Sequence, residues 1–137
     1  MSTDEGRRKI LVIDDDTDFQ EIASAILHSA GYGVAVASSG EEGLATAAAY
    51  QPDAVVLDLM LERPDAGFAV AYRLRQLPGA QDLPIILVTA SARETGFRFD
   101  LDSAEERQWI KANVVLNKPI SREDLVKHVS EALRQPV

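Results

Sequence analysis

An α/β domain with helices on both faces of a parallel sheet is predicted by three features of this 137-residue sequence. Four short, almost wholly apolar runs stand at Ile10-Leu11-Val12-Ile13, Ala54-Val55-Val56-Leu57, Ile85-Ile86-Leu87-Val88 and Val114-Val115-Leu116-Asn117. Longer stretches of helical periodicity separate them, which is the alternation of a sheet covered on both sides. Two of the runs end in carboxylates, Asp14-Asp15-Asp16 and Asp58, and ligand sites of open parallel sheets lie at the carboxyl ends of strands.

Residues 10–13 read as the first strand. Phe19, Ile22, Ala23, Ile26 and Leu27 then recur at helical spacing up to Gly31, a helix stop. Val34 and Val36 suggest a weaker second strand. Ser39-Gly40-Glu41-Glu42 has a capping-box pattern ahead of an alanine-rich helix from Leu44 to Tyr50, before Pro52. The third strand is 54–57. A third helix from Gly67 to Leu77 places Val70, Leu74 and Leu77 on one side and ends at Pro78-Gly79. The fourth strand is 85–88 and the fifth 114–117. Ser121-Arg122-Glu123-Asp124 caps a last helix whose inward residues are Leu125, Val126, Val129 and Leu133. Between them, 91–113 has no clean period, although Ser103 to Lys111 fits a short helix with Trp109 and Ile110 inward.

The length suits one domain, with residues 1–8 expected as a loose tail and 9–137 as a single unit. The apolar runs fall far short of the roughly 20 residues needed to cross a bilayer, and the polar amino terminus lacks a secretory signal. A cytoplasmic location and no membrane partner are expected. The absence of cysteine excludes disulfides and thiolate metal sites. His28 and His128 lie in separate helical patterns, so a zinc site is not expected. A formal charge of −8 repels phosphate backbones, so nucleic acid is not expected as a partner.

Asp14, Asp15 and Asp58 gathered at neighbouring strand ends would repel one another, a conflict that a hard divalent cation resolves. Magnesium accepts a few carboxylates with carbonyl and water oxygens and leaves places for phosphate oxygens. One carboxylate can then act as nucleophile towards a phosphoryl group and form an aspartyl phosphate. The Lys118 ammonium would offset charge on the transferred oxygens, and the Thr89 hydroxyl could donate a hydrogen bond to them. Taken singly, each residue has an ordinary explanation as a cap, a strand-end threonine or a surface lysine. Their combination carries the functional reading.

Four segments in order, Ile10-Leu11-Val12-Ile13-Asp14-Asp15-Asp16, Val55-Val56-Leu57-Asp58-Leu59-Met60, Leu87-Val88-Thr89-Ala90 and Asn117-Lys118-Pro119, resemble the response-regulator receiver domain of bacterial two-component signalling. The resemblance runs from about Lys9 to Leu133. It implies a doubly wound, flavodoxin-like (CheY-like) sheet of five parallel strands in the order 2-1-3-4-5. It implies Asp58 as phosphoacceptor, and Mg2+ held by Asp15, Asp58 and the main-chain carbonyl of Met60, with Asp14 helping through water. Thr89 and Lys118 would bind the phosphoryl group, and the Lys118-Pro119 bond would be cis. The donor would be a sensor histidine kinase or a histidine phosphotransfer protein. Such a chain is a signalling module rather than an enzyme, catalysing only its own phosphorylation and dephosphorylation.

The sequence also departs from that pattern. Val115 stands where receivers commonly carry Tyr or Phe, which puts the usual threonine-to-aromatic relay in doubt. The stretch from Thr89 to Lys118 is several residues longer than usual, with the surplus in Arg93 to Asp102, so the helix expected after strand four is remodelled. Met60, two residues beyond the acceptor, cannot orient a water as a polar side chain would, and slow self-dephosphorylation is expected. No output domain fits after Pro136-Val137, so a stand-alone receiver is expected unless the chain is a piece of a longer protein. Two other readings remain. A degenerate receiver would act only through protein contacts. A haloacid-dehalogenase-like phosphohydrolase would use Asp14 as nucleophile in Asp14-Asp15-Asp16, though that pattern does not expect Asp18 and does not explain Asp58.

Overall fold

The computed structural model describes residues 8–58, 66–89, 114–118 and 120–134. Five parallel strands, β1 (Lys9–Ile13), β2 (Gly33–Ala37), β3 (Ala54–Asp58), β4 (Ile85–Thr89) and β5 (Val114–Asn117), form one sheet in the order β2-β1-β3-β4-β5. The described helices are α1 (Thr17–Ser29), α2 (Gly40–Tyr50), α3 (Ala66–Arg75) and α4 (Arg122–Arg134). Thus the predicted strand order is the observed one.

The apolar runs are continuous because both faces of the sheet are covered. Leu11, Ile13, Val55, Leu57, Ile85 and Leu87 point to one side, against Leu44 and Ala47 of α2 and Val70, Ala71 and Leu74 of α3. Ile10, Val12, Ala54, Val56, Ile86 and Val88 point to the other, against Ala23 and Leu27 of α1 and Leu125, Val129 and Ala132 of α4. Alternation of side chains along each strand therefore feeds two cores. On the first face α2 comes very close to β1. A Cβ on Gly43 would meet Ile13 Cδ1 at 2.5 Å, so the helix sits where only glycine fits without moving the residue that precedes Asp14.

Local sequence sets the helix ends. Asp16 caps α1, and Gly31 (φ 100°) closes it by a paired turn in which Gly31 N donates to His28 O and Tyr32 N to Leu27 O, both at 3.0 Å. Ser39 caps α2 by accepting from Glu42 N at 3.1 Å, while the Glu42 carboxylate accepts from Ser38 N rather than from the cap residue itself. Ser121 Oγ accepts from Asp124 N at 3.1 Å at the start of α4.

Several inward assignments differ from the sequence reading. Ile22 is exposed, and Gln20 takes a buried place on α1. On α4, Ala132 is buried, whereas Val126 and Leu133 are only half-buried. Expected to reach Leu77, α3 ends at Arg75 and continues as tighter bonds, Gln76 N to Arg73 O and Leu77 N to Leu74 O. Pro78 explains this, because proline disfavours helical geometry in the residue before it. Arg8, assigned to the tail, accepts a hydrogen bond from Gly33 N at 2.9 Å. The expectations for residues 1–7, the long stretch 91–113 with Phe97, Phe99 and Trp109, and the Lys118-Pro119 bond lie outside the described residues. No described helix is long and apolar enough to cross a membrane.

Candidate functional site

Strand register builds the site. Ile13 pairs with Leu57, so Asp14, the next residue, lies beside Asp58 at the crevice between β1 and β3. There the chain's path across the sheet reverses, the place where open α/β sheets bind ligands. Asp58 is opposite Val88, the residue before Thr89, and Thr89 is opposite Asn117, the residue before Lys118. Residues far apart in sequence thus reach one edge without help from a long loop.

Asp14, Asp15 and Asp58 each offer an oxygen, and these oxygens lie within 4.8 Å of one another. Asp14 is 1% exposed and Asp58 6%, whereas Asp15 faces solvent. Two buried carboxylates at such a spacing repel by about 3 kcal/mol at an effective dielectric of ~20. Lys118 offsets part of this. Its Nζ is 2.8 Å from Asp14 Oδ2 and 3.9 Å from Asp58 Oδ2, and it lies over the Phe19 ring, 4.5 Å from the centroid. The close contact to Asp14 is not aligned as a hydrogen bond, and Oδ2 has no hydrogen-bond donor. A buried carboxylate oxygen in that state favours a cation, and a donor set made only of oxygens suits a hard one rather than zinc.

The acids divide their work. Asp14 Oδ1 accepts from Asp16 N at 2.9 Å, which fixes the turn after β1. Asp16 Oδ1 accepts from Asp18 N and Phe19 N at 3.0 and 3.3 Å and so caps α1 instead of joining the cluster. Partial desolvation, then the adjacent Asp14 carboxylate, raises the Asp15 carboxyl above its usual range, while its own backbone hydrogen bond and Lys118 pull it back. Since Asp15 is exposed, the neighbouring charge is the more persuasive cause.

Gln20 was not singled out by the sequence reading. Its Nε2 donates to Asp14 O and lies 2.9 Å from Ser38 Oγ and 3.3 Å from Ala37 O, joining α1, the end of β1 and the loop after β2. A signal existed, because Gln20 falls at i, i+3 and i+7 with Ala23 and Leu27 on the buried face. Gln20→Leu is expected to lower stability by about 1–3 kcal/mol through lost hydrogen bonds to buried groups. Urea denaturation checks this. The side chain of Thr89, the carbonyl of Met60 and the side chain of Val115 lie outside the described residues.

The family model for the response regulator receiver domain matches residues 10–130. This chain belongs to that family. As a receiver it is 36% identical over 127 residues to the DNA-binding dual master transcriptional regulator RpaA of Synechocystis sp. (strain ATCC 27184 / PCC 6803 / Kazusa), covering 93% of this chain and 49% of that protein. The response regulator MprA of Mycolicibacterium vanbaalenii is also 36% identical, over 93% of this chain and 51% of its own length. The receiver therefore spans about half the length of these curated relatives. Chemotaxis response regulator CheY4 of Vibrio cholerae has the same fold, with a TM-score of 0.78, 25% identity and coverage of 92% of this chain and 98% of its own. A CheY-like receiver domain protein of Methanospirillum hungatei JF-1 shares the fold with a TM-score of 0.78, 24% identity and coverage of 93% and 94%. These relatives make the receiver a signalling domain of two-component systems. They lend no support to the expected absence of nucleic acid, since RpaA is DNA-binding.

Proposed function

We propose that Asp58 accepts a phosphoryl group from a sensor histidine kinase or a histidine phosphotransfer protein, in the cytoplasm, and that residues 9–137 act as one receiver. The observation that carries this is the buried Asp58 carboxylate, clustered with Asp14 and Asp15 and 3.9 Å from the Lys118 ammonium. Asp15, Asp58 and the Met60 carbonyl would hold Mg2+, with Asp14 assisting through water. When bound, Mg2+ supplies positive charge that offsets the acids and the phosphoryl oxygens.

An Asp58 oxygen forms a bond to phosphorus as the bond from phosphorus to the donor nitrogen breaks, and the leaving imidazole keeps that electron pair and takes up a proton. Lys118, held between Asp14 and Asp58, pairs with the transferred oxygens. The Thr89 hydroxyl donates to one of them. The added charge then biases which partner surface is favoured, through a route that does not use an aromatic ring at Val115.

Intact-mass measurement with acetyl phosphate tests the reading, because uptake must require both Mg2+ and Asp58. A phosphohydrolase reading on Asp14 is disfavoured by geometry, since Asp16, the second acid of its motif, caps α1. Met60 supplies no polar group of its own to orient an attacking water, so Met60→Asn is expected to shorten the phosphoryl half-life severalfold. Decay of the adduct after removal of acetyl phosphate measures this, and equal half-lives would refute it.

A further inference from the structure

Lysine carries a strongly hydrated ammonium on a flexible stem, so holding it at one point requires more than a single attraction. In this chain Asp14 draws the Lys118 ammonium to 2.8 Å without an aligned hydrogen bond. A second anchor is the face of Phe19, whose centroid is 4.5 Å from Nζ. Phe19 is anchored through its backbone and by packing of its side chain. Phe19 N donates to Asp16 Oδ1 at 3.3 Å in the first turn of α1, and its side chain packs against the core face shared by α1 and α4. An aromatic face attracts a cation through its quadrupole, which an aliphatic side chain of similar bulk does not possess.

We propose that Phe19 is a positioning residue whose ring face seats the Lys118 ammonium beside Asp14 and Asp58, ready for a phosphoryl group on Asp58. This rests on the reading of Asp58 as phosphoacceptor. Phe19 has no group that can bond to phosphorus or hold a metal, and its role runs through Lys118. Its removal therefore slows phosphoryl uptake without abolishing it. The expected loss is about threefold to tenfold in rate, the range of a partly desolvated cation–π contact.

The test compares wild type, Phe19→Leu and Phe19→Tyr. Proton NMR of the Lys118 ε-methylene in metal-free protein reads the contact, and mass-resolved uptake from acetyl phosphate at saturating Mg2+ reads the rate. An upfield ring-current shift is expected in wild type and in Phe19→Tyr. Phe19→Leu should lose the shift and the threefold to tenfold in rate, with its Mg2+ Kd, measured by calorimetry, within about twofold of wild type. Phe19→Tyr should restore the rate. An unshifted Lys118 methylene in wild type overturns the proposal whatever the variants do, so a poorly folded Leu variant does not protect it. Uptake by Phe19→Leu at the wild-type rate overturns it as well. If wild type takes up no phosphoryl group, the acceptor reading fails, and the ring-current shift still decides where Lys118 sits.

Discussion

Asp58→Asn is expected to abolish phosphoryl uptake completely, while wild type incubated with acetyl phosphate and Mg2+ gains one phosphoryl adduct in intact mass. Asp58 is the last residue of β3, buried to 6% exposure, and the register with β1 and β4 puts it between Asp14 and the strand end that carries Thr89. The amide keeps the shape of the side chain but removes the charge that makes the oxygen a nucleophile, so the fold should survive while the chemistry stops. Chelator should have the same effect on wild type, because the acid cluster is then opposed by Lys118 alone among the described cations near it. An adduct persisting in Asp58→Asn would move the acceptor elsewhere. A well-folded wild type that takes up no phosphoryl group would leave a receiver acting through contacts.

Asp15→Asn is expected to raise stability in chelator and to remove the stabilisation that Mg2+ gives wild type. Asp15 is raised in pKa by desolvation and by Asp14, which means that its negative charge is disfavoured in the folded state. The sign follows from proton linkage. Between its ordinary value of 3.8 and the raised value, the folded chain binds more proton at Asp15 than the unfolded chain, so this group lowers stability as pH rises through that window. Above that window the penalty is fully present, and the amide relieves it. A rise in Tm of roughly 2–5 °C in chelator is expected for a chain of this size, with little further gain on adding Mg2+. Wild type should gain stability from Mg2+ by mass action, and its Mg2+ affinity should weaken on acidification as protons compete at Asp15. Thermal melts with Mg2+ and with chelator, at two pH values, read both effects. An Asp15→Asn variant that melts lower than wild type in chelator would contradict the repulsion argument.

Much of this was legible before any coordinates. Runs such as Ala54-Val55-Val56-Leu57 can be satisfied only by burial on both faces, so helices above and below the sheet were implied. Ser39 and Ser121 were legible as caps because capping is local, and both accept the expected backbone hydrogen bond. Asp14, Asp15 and Asp58 were legible as a cluster because the ends of neighbouring parallel strands meet. Local pattern was less reliable where packing decides. Ile22 fitted the apolar stripe of α1 yet faces solvent, and Gln20, a polar residue, was buried because three oxygens were waiting for its amide.

Sequence by itself therefore determined the fold class, the strand order through family resemblance, and which acids meet, since these depend on short-range pattern and on the ends of strands. Tertiary structure decided the division of labour among Asp14, Asp15 and Asp16: one pairs with Lys118, one remains at the solvent edge, and one caps α1. It also decided that Phe19 lies under the Lys118 ammonium. The Asp16 cap is a local contact, but the pairing of Lys118 with Asp14 and its place over Phe19 join residues about a hundred positions apart, which no local pattern encodes.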